Sequence, residues 1–224
     1  MSVPGNGIIR VGINTANPFL VSKTGNGDLS GVAIDLAAEI AGSLNLEFRS
    51  VPYESAGSLF DAVDRDEWDI AFLAIESSRA QKAAFTKPYA HIEGAFLVKD
   101  AAPFRANEDV DAPNVKIAVG KNAAYDLHLS RVLKNASLLR GNGPAQALQF
   151  LLAGEADVAA GVRKSLEAVA KQHNGLRILP GSFMTIPQGI AVPISKAAGV
   201  VYLQEILDLA ALSGQLNRIL ERHA

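Results

Sequence analysis

The stretch that decides the fold is "WDIAFLAIESSRAQKAAFTKPY", residues 68–89. Its first part, 68–75, is nearly all apolar, which predicts a strand covered on both faces of a sheet. Arg79 follows this strand, and Phe85–Tyr89 contributes an aromatic, a threonine, a proline and a tyrosine. A permanent cation at the carboxyl end of a buried strand raises the expectation that an anion meets it there.

Strand and helix patterns alternate on either side of this stretch. Segment 17–31 is predicted as a loop or hairpin. The alternation favours a mostly parallel sheet with helices on both faces. The other predicted elements of this half are strands at 8–13 and 46–53 and helices at 32–44 and 56–67.

The same alternation restarts after an apolar segment at 91–100, so the sequence predicts two similar α/β units. Asn122 is the predicted N-cap of the first helix of the second unit. The predicted elements are strands at 115–120, 137–141, 156–162 and 176–181, helices at 123–135, 144–155 and 163–173, then a strand at 188–195 and a helical stretch at 197–223 that Gly214 divides.

Composition excludes several kinds of function. The chain has 224 residues, a net charge of −2 and no cysteine, so neither a nucleic acid nor an anionic membrane is favoured as a partner. The four histidines show no metal-ligand spacing, and we predict no metal and no cofactor. No apolar run is long enough to span a membrane, and the first residues do not resemble a secretory signal. Either a signal lies outside this sequence, or the protein stays in the cytoplasm.

Ligands of open α/β sheets bind outside the carboxyl ends of the strands. Four predicted loops lie at such ends: at Asn14, at 75–79, at Asn122 and at Val162–Arg163. Two α/β lobes that face each other would bring these loops to one cleft.

The ordered motifs resemble the bacterial extracellular solute-binding proteins that serve polar amino acid ABC transporters. The first half carries them most clearly; "VKIAVGKNAAYDLHL", "GEADVAAGV" and "GIAVPISK" match more weakly. The matching positions are Gly31, Asp35–Leu36, Trp68–Asp69, Arg79 and Phe85–Tyr89.

This resemblance implies an α/β, two-lobed type II periplasmic binding protein fold. The first lobe would comprise residues 1–97 and 188–224, and the second residues 98–187. Crossover strands around Phe96–Lys99 and Gly189–Pro193 would act as a hinge that closes over a small solute. The family further implies a monomeric, non-enzymatic periplasmic protein that partners a membrane permease.

By the same resemblance, Arg79 holds the α-carboxylate of the ligand through a two-pronged ion pair. The rest of the ligand shell departs from the family pattern. Ala74 stands where a serine or threonine is common, Ser55 where an aromatic is common, and Asn122–Ala123 where a threonine or serine opens a helix. Val162 aligns with the aspartate that meets the ligand ammonium, and Arg163 follows it.

A buried ammonium without an anionic partner is costly, so a carboxylic acid without an ammonium fits this shell better than an amino acid does. If Arg163 faces the cleft, the site becomes more cationic, and a dicarboxylate, or an aromatic or keto acid, fits it. Glu76 is the alternative partner for an ammonium, and it is equally able to point to solvent. Asn14, Asn17 and Phe19 are further candidates to line the site; for Phe19, local packing is an equal alternative.

Two other functions stay open. Some members of this fold are dehydratases of cyclohexadienyl carboxylates, and such chemistry would need Glu76 as a general acid. A sensory or orphan cytoplasmic domain would keep the fold without transport.

Overall fold

The structure, a computed structural model, describes residues 7–223. These divide into two compact units: the first comprises the described residues through Ala90 together with those from Pro187 onward, and the second is His91–Ile186. The strands are β1 Ile8–Asn14, β2 Ser22–Lys23, β3 Leu29–Ser30, β4 Glu47–Tyr53, β5 Ile70–Ala74, β6 Ala83–Phe85, β7 Ala90–Lys99, β8 Lys116–Gly120, β9 Ser137–Gly141, β10 Val158–Val162, β11 Leu176–Ile178 and β12 Met184–Pro193. The helices are α1 Val32–Ser43, α2 Ala56–Asp61, α3 Ala124–Val132, α4 Pro144–Ala153, α5 Arg163–Gln172, α6 Gly199–Leu212 and α7 Gln215–Arg222.

In the first unit, β4, β1 and β5 lie side by side in parallel, and β12 pairs antiparallel with β5 and with β6. The apolar face of α1 packs with β1, β5, α6 and α7 in one core, whose larger members include Ile13, Leu36 and Phe72. All five residues of β5 are buried, which confirms the prediction of a strand covered on both faces.

In the second unit, β9, β8 and β10 are parallel, and β7 and β11 add antiparallel strands. Two apolar clusters lie in this unit, one around Phe96, Ile117 and Leu129 and the other around Leu97, Leu151 and Leu166. The predicted parallel α/β order is therefore confirmed in both units.

Two glycines with positive φ lie at helix boundaries. Gly31, which precedes α1, has φ 145°, and a Cβ there would lie 2.5 Å from the carbonyl oxygen of Leu20. Gly214, with φ 72°, separates α6 from α7 and confirms the predicted division.

Some predicted boundaries are wrong. The helix expected at 56–67 ends at Asp61, because the acidic stretch after it forms turns that include Asp66 at φ 51°. The strand expected to begin at 188 begins at Met184. The segment 17–31 does contain a hairpin, formed by β2 and β3.

Candidate functional site

The carboxyl ends of three parallel strands in the first unit lie at one edge of its sheet. Asn14 ends β1 opposite Tyr53 of β4, and Ile13 pairs with Phe72 of β5. This edge of an α/β sheet is the usual place for a ligand. The register therefore gathers the predicted residues Asn14, Ser55 and Ala74 at the same edge as the Arg79 turn.

Arg79 occupies a short 3₁₀ turn that follows β5, and its side chain is only 1% exposed. Its Nη1 donates to the carbonyl oxygen of Ala74 at 2.9 Å, and its backbone N–H donates to the carbonyl oxygen of Glu76 at 2.9 Å. The guanidinium carbon lies 5.5 Å from the centre of the Phe60 ring, a cation–π distance. The predicted residues Ala74, Glu76 and Arg79 are thus brought together.

Burial lowers the pKa of Arg79 to about 10, while the negative charges of Glu76 and Asp61 oppose that shift. A pKa of about 10 keeps the guanidinium charged at neutral pH. A buried cation of this kind is stabilised by a further anion, and its planar donors suit a carboxylate.

The sequence prediction missed Phe60 and Asp61, the last two residues of α2. The Phe60 ring contacts the guanidinium of Arg79, and the negative charge of Asp61 opposes the lowering of the pKa of Arg79 by burial. Phe60 is half-buried, unlike the fully buried Leu59 beside it. In the sequence, an aromatic residue in the short helical segment that follows a predicted strand is the signal that could have indicated Phe60.

The remaining motif residues after Arg79 hold β6 and β12 together. The hydroxyl oxygen of Thr86 accepts a hydrogen bond from the backbone of Ile190 at 3.0 Å, and the N–H of Tyr89 donates to the carbonyl oxygen of Gln188 at 2.9 Å. These contacts give Thr86 and Tyr89 a structural reason for their positions.

The other predicted residues of the first unit make local contacts. Asn14 and Asn17 are buried, and their side-chain oxygens accept from the backbone of Ala16 and Phe19, each at 3.1 Å. Phe19 packs against the core of its unit. Ser55 is the N-cap of α2, where its hydroxyl accepts from the backbone of Ser58 at 3.1 Å.

In the second unit, the prediction that Asn122 caps α3 is wrong: the N-cap is Ala123. Asn122 has φ 59°, and its backbone N–H donates to Oδ2 of Asp126 at 2.9 Å. At the start of α3, the side chain of Asp126 in the first turn therefore accepts a hydrogen bond, whereas the prediction had the side chain of Asn122 as the acceptor.

Val162 ends β10 and is the N-cap of α5, which Arg163 opens. Nε of Arg163 lies 2.5 Å from a carboxylate oxygen of Glu93, and Nη2 donates to the carbonyl oxygen of Gly181. Asn122 and Ala123 follow β8, while Val162 and Arg163 lie at the end of β10, and the two strands are parallel neighbours. They therefore lie at one sheet edge of their own unit.

Within residues 7–223, no group of histidines and acidic residues has a geometry suited to a metal ion. None of the helices in that range combines the length and apolar character needed to cross a bilayer.

Comparisons with known proteins give two curated relatives from Pseudomonas aeruginosa. One is a cyclohexadienyl dehydratase, 27% identical over 158 residues, which are 68% of this chain and 58% of that protein. The other is an L-arginine-binding protein, 25% identical over 163 residues, which are 71% of this chain and 62% of that protein. The match thus spans about three fifths of the length of these curated relatives.

Among solved structures, an ancestral arginine-binding protein bound to arginine superposes with a TM-score of 0.84 at 25% identity, over 96% of this chain and 97% of that one. The fold is accordingly the α/β fold of the two-lobed type II periplasmic binding proteins. Because the sequence model of the family matches residues 9–224, the chain belongs to the bacterial extracellular solute-binding proteins, family 3.

Proposed function

We propose that this chain captures a small carboxylate-bearing solute, an amino acid or another organic acid, for an ABC transporter. The observation that carries the proposal is the charged, buried guanidinium of Arg79 at the carboxyl end of β5. A carboxylate bound there would form charge-assisted hydrogen bonds, which are about twice as strong as neutral ones. The two compact units serve as the two lobes of the binding protein.

The amino-acid class is supported by the relatives, one named an L-arginine-binding protein and one an ancestral protein bound to arginine. The residues of the second unit favour a narrower class. Val162 offers no charge to an ammonium, and Glu93 neutralises Arg163. We therefore propose that a monocarboxylic acid without an ammonium binds more tightly than either an amino acid or a dicarboxylate.

Thermal melting against amino acids, dicarboxylates, and aromatic and keto acids tests both levels of the proposal. A ligand at a hundred times its dissociation constant adds about 2.7 kcal/mol, which is a shift of a few degrees. Arg79→Lys keeps the charge but removes the planar fork, so we expect the shift to shrink. Arg49→Ala, at an exposed arginine of β4, is the matched control.

A shift with amino acids alone would overturn the narrower class and keep the general function. If neither Arg79→Lys nor Arg49→Ala changes the ligand-induced shift in melting temperature, then Arg79 does not contact the ligand.

A dehydratase is the second candidate, favoured by the 27% identical cyclohexadienyl dehydratase. Glu76 is 7% exposed, and its carbonyl oxygen accepts a hydrogen bond from the backbone of Arg79. In this second proposal, Glu76 would act as the general acid on a solute whose carboxylate Arg79 holds. Loss of prephenate followed by its ultraviolet absorbance, with Glu76→Gln as the control, separates the two functions. Turnover that Glu76→Gln abolishes would replace binding by catalysis.

The permease partner and the periplasmic location are parts of the same proposal. A chromosomal fusion of the complete gene to a reporter that fluoresces in both compartments, followed by cell fractionation, tests the location. Recovery with the cytoplasmic fraction would favour the sensory or orphan role.

A further inference from the structure

The surface of α6 in the first unit exposes more apolar area than a solvated helix needs. Seven large apolar side chains are exposed among the described residues, and four of them lie on this helix. Leu209 is 66% exposed and Leu212 is 85% exposed. The four are Val201, Tyr202, Leu209 and Leu212. Exposed apolar clusters of this kind mark interaction surfaces more often than singly scattered residues do.

A groove of about 540 Å³ lies beside this cluster, where α6 runs along α1. Tyr202, Ile206 and Leu209 line it from α6, and Leu44 lines it from the end of α1. Tyr202, Leu209 and Ser213 follow helical spacing along it, which gives the groove the ridges that a further helix packs against. We call this surface, with Val201 and Leu212, the α1–α6 face.

The charge on the α1–α6 face has one sign. Neither α1 nor α6 contains a lysine or an arginine, whereas they contain Asp35, Glu39, Glu205 and Asp208. Asp35 is neutralised by Arg222, but neither Glu39 nor Glu205, which flank the groove, forms an ion pair within residues 7–223.

This charge selects among the possible occupants. Two copies of the chain that met by this face would bring their acidic residues together, and the same charge would repel an anionic membrane. An amphipathic helix with an apolar stripe between lysines or arginines would fill the groove and neutralise Glu39 and Glu205.

We propose that the α1–α6 face docks a basic amphipathic helix of a partner protein. No residue that lines the groove belongs to the Arg79 turn.

The test is fluorescence anisotropy with a labelled synthetic helix that has leucines at alternating three- and four-residue spacing and lysines on both sides of them. We expect Leu209→Glu to weaken binding about tenfold or more, and the pair Glu39→Lys with Glu205→Lys to do the same. Ile194→Glu, at another exposed apolar residue outside the groove, and Glu155→Lys, at an exposed acid of the second unit, are the matched controls. They should leave the dissociation constant unchanged.

Leu212→Glu serves as a second variant if Leu209→Glu melts at a lower temperature than the wild type. The proposal is overturned by equal weakening in the controls, by equal affinity for the same helix with glutamates in place of lysines, or by no binding at all. Sedimentation of the wild type as a dimer that Leu209→Glu dissociates would instead assign the face to a second copy.

Discussion

Each α/β unit has an arginine after the carboxyl end of a parallel strand, Arg79 five residues after β5 ends and Arg163 immediately after β10, and the two arginines differ in burial. Arg79 is 1% exposed, and the carbonyl oxygen of Ala74 and the Phe60 ring contact it. The Arg163 side chain is 24% exposed, and the carboxylate of Glu93 neutralises it. Position after a strand therefore does not by itself identify a ligand-binding cation; burial and the nature of its neighbours do.

The largest expected effect tests this contrast by ligand binding. Arg79→Met should weaken the binding of an acid found in the melting screen by roughly a hundredfold or more, because the partner of a buried ion pair is removed. Arg163→Met should change the dissociation constant about threefold or less. Isothermal titration calorimetry measures both. Equal losses in the two variants would show that both units supply a cation to the ligand.

Two ion-paired carboxylates, Asp69 of the first unit and Glu93 of the second, differ in burial and therefore in their expected contribution to stability. Asp69 in the first unit has an 8% exposed side chain and accepts from Arg10 and Lys196, each at 2.9 Å. Asp69→Asn should cost about 2–3 kcal/mol in the free energy of unfolding, because the remaining charges lose their partner. Glu93→Gln should cost less than about 1 kcal/mol, since that carboxylate is 54% exposed. Urea titration measures both; a larger loss for Glu93→Gln would reverse the ranking.

We also expect low pH to reduce stability through protonation of Asp69. Burial raises the pKa of Asp69, but the hydrogen bonds from Arg10 and Lys196 outweigh it and hold the pKa below its ordinary value. A pKa that is depressed in the folded state contributes stability above the unfolded value, near pH 4, and that contribution is lost as the pH falls further.

The wild type should therefore lose stability from about pH 4 downward, and Asp69→Asn should lose less over the same range. Melting temperatures in matched buffers measure this difference. Parallel pH curves for the two proteins would remove Asp69 as a source of the dependence.

The smallest effects concern two buried tyrosines. The Tyr89 hydroxyl in the first unit has no hydrogen-bond partner among the described residues, and burial raises its pKa. Burial also raises the pKa of Tyr125 in the second unit, to about 12, but this hydroxyl has a backbone hydrogen bond with Gly120.

Tyr89→Phe should therefore leave the free energy of unfolding unchanged or raise it by up to about 1 kcal/mol, whereas Tyr125→Phe should lower it by about 1 kcal/mol. Urea titration of the two variants side by side gives the sign of each change. A loss on Tyr89→Phe would mean that its hydroxyl has a partner in solution.

The sequence predicted the fold further than it predicted the site. The apolar run at 68–75 and the helical spacing of apolar residues in α1 are local sequence patterns. Because such patterns involve only residues that are close along the chain, they predicted both elements correctly. The end of α2 at Asp61 and the start of α3 after Ala123 depend on the turns beside them, and the sequence prediction missed both.

Arg79 was predicted from its position, but its burial and the ring of Phe60 beside it arise from packing between segments that are distant in sequence. The Arg163–Glu93 pair joins residues 70 positions apart for the same reason. No local pattern encodes such contacts.

The discontinuity of the first unit has a consequence for how the chain folds as it is made. The strand segment that pairs with β5, and the helices α6 and α7 that complete its core, all come from Pro187 onward. During synthesis, the whole second unit is therefore made before β12, and until then one edge of β5 has no strand paired to it. Such an edge is open to pairing with other chains. Synthesis order thus leaves the first unit incomplete until the last part of the chain has been made.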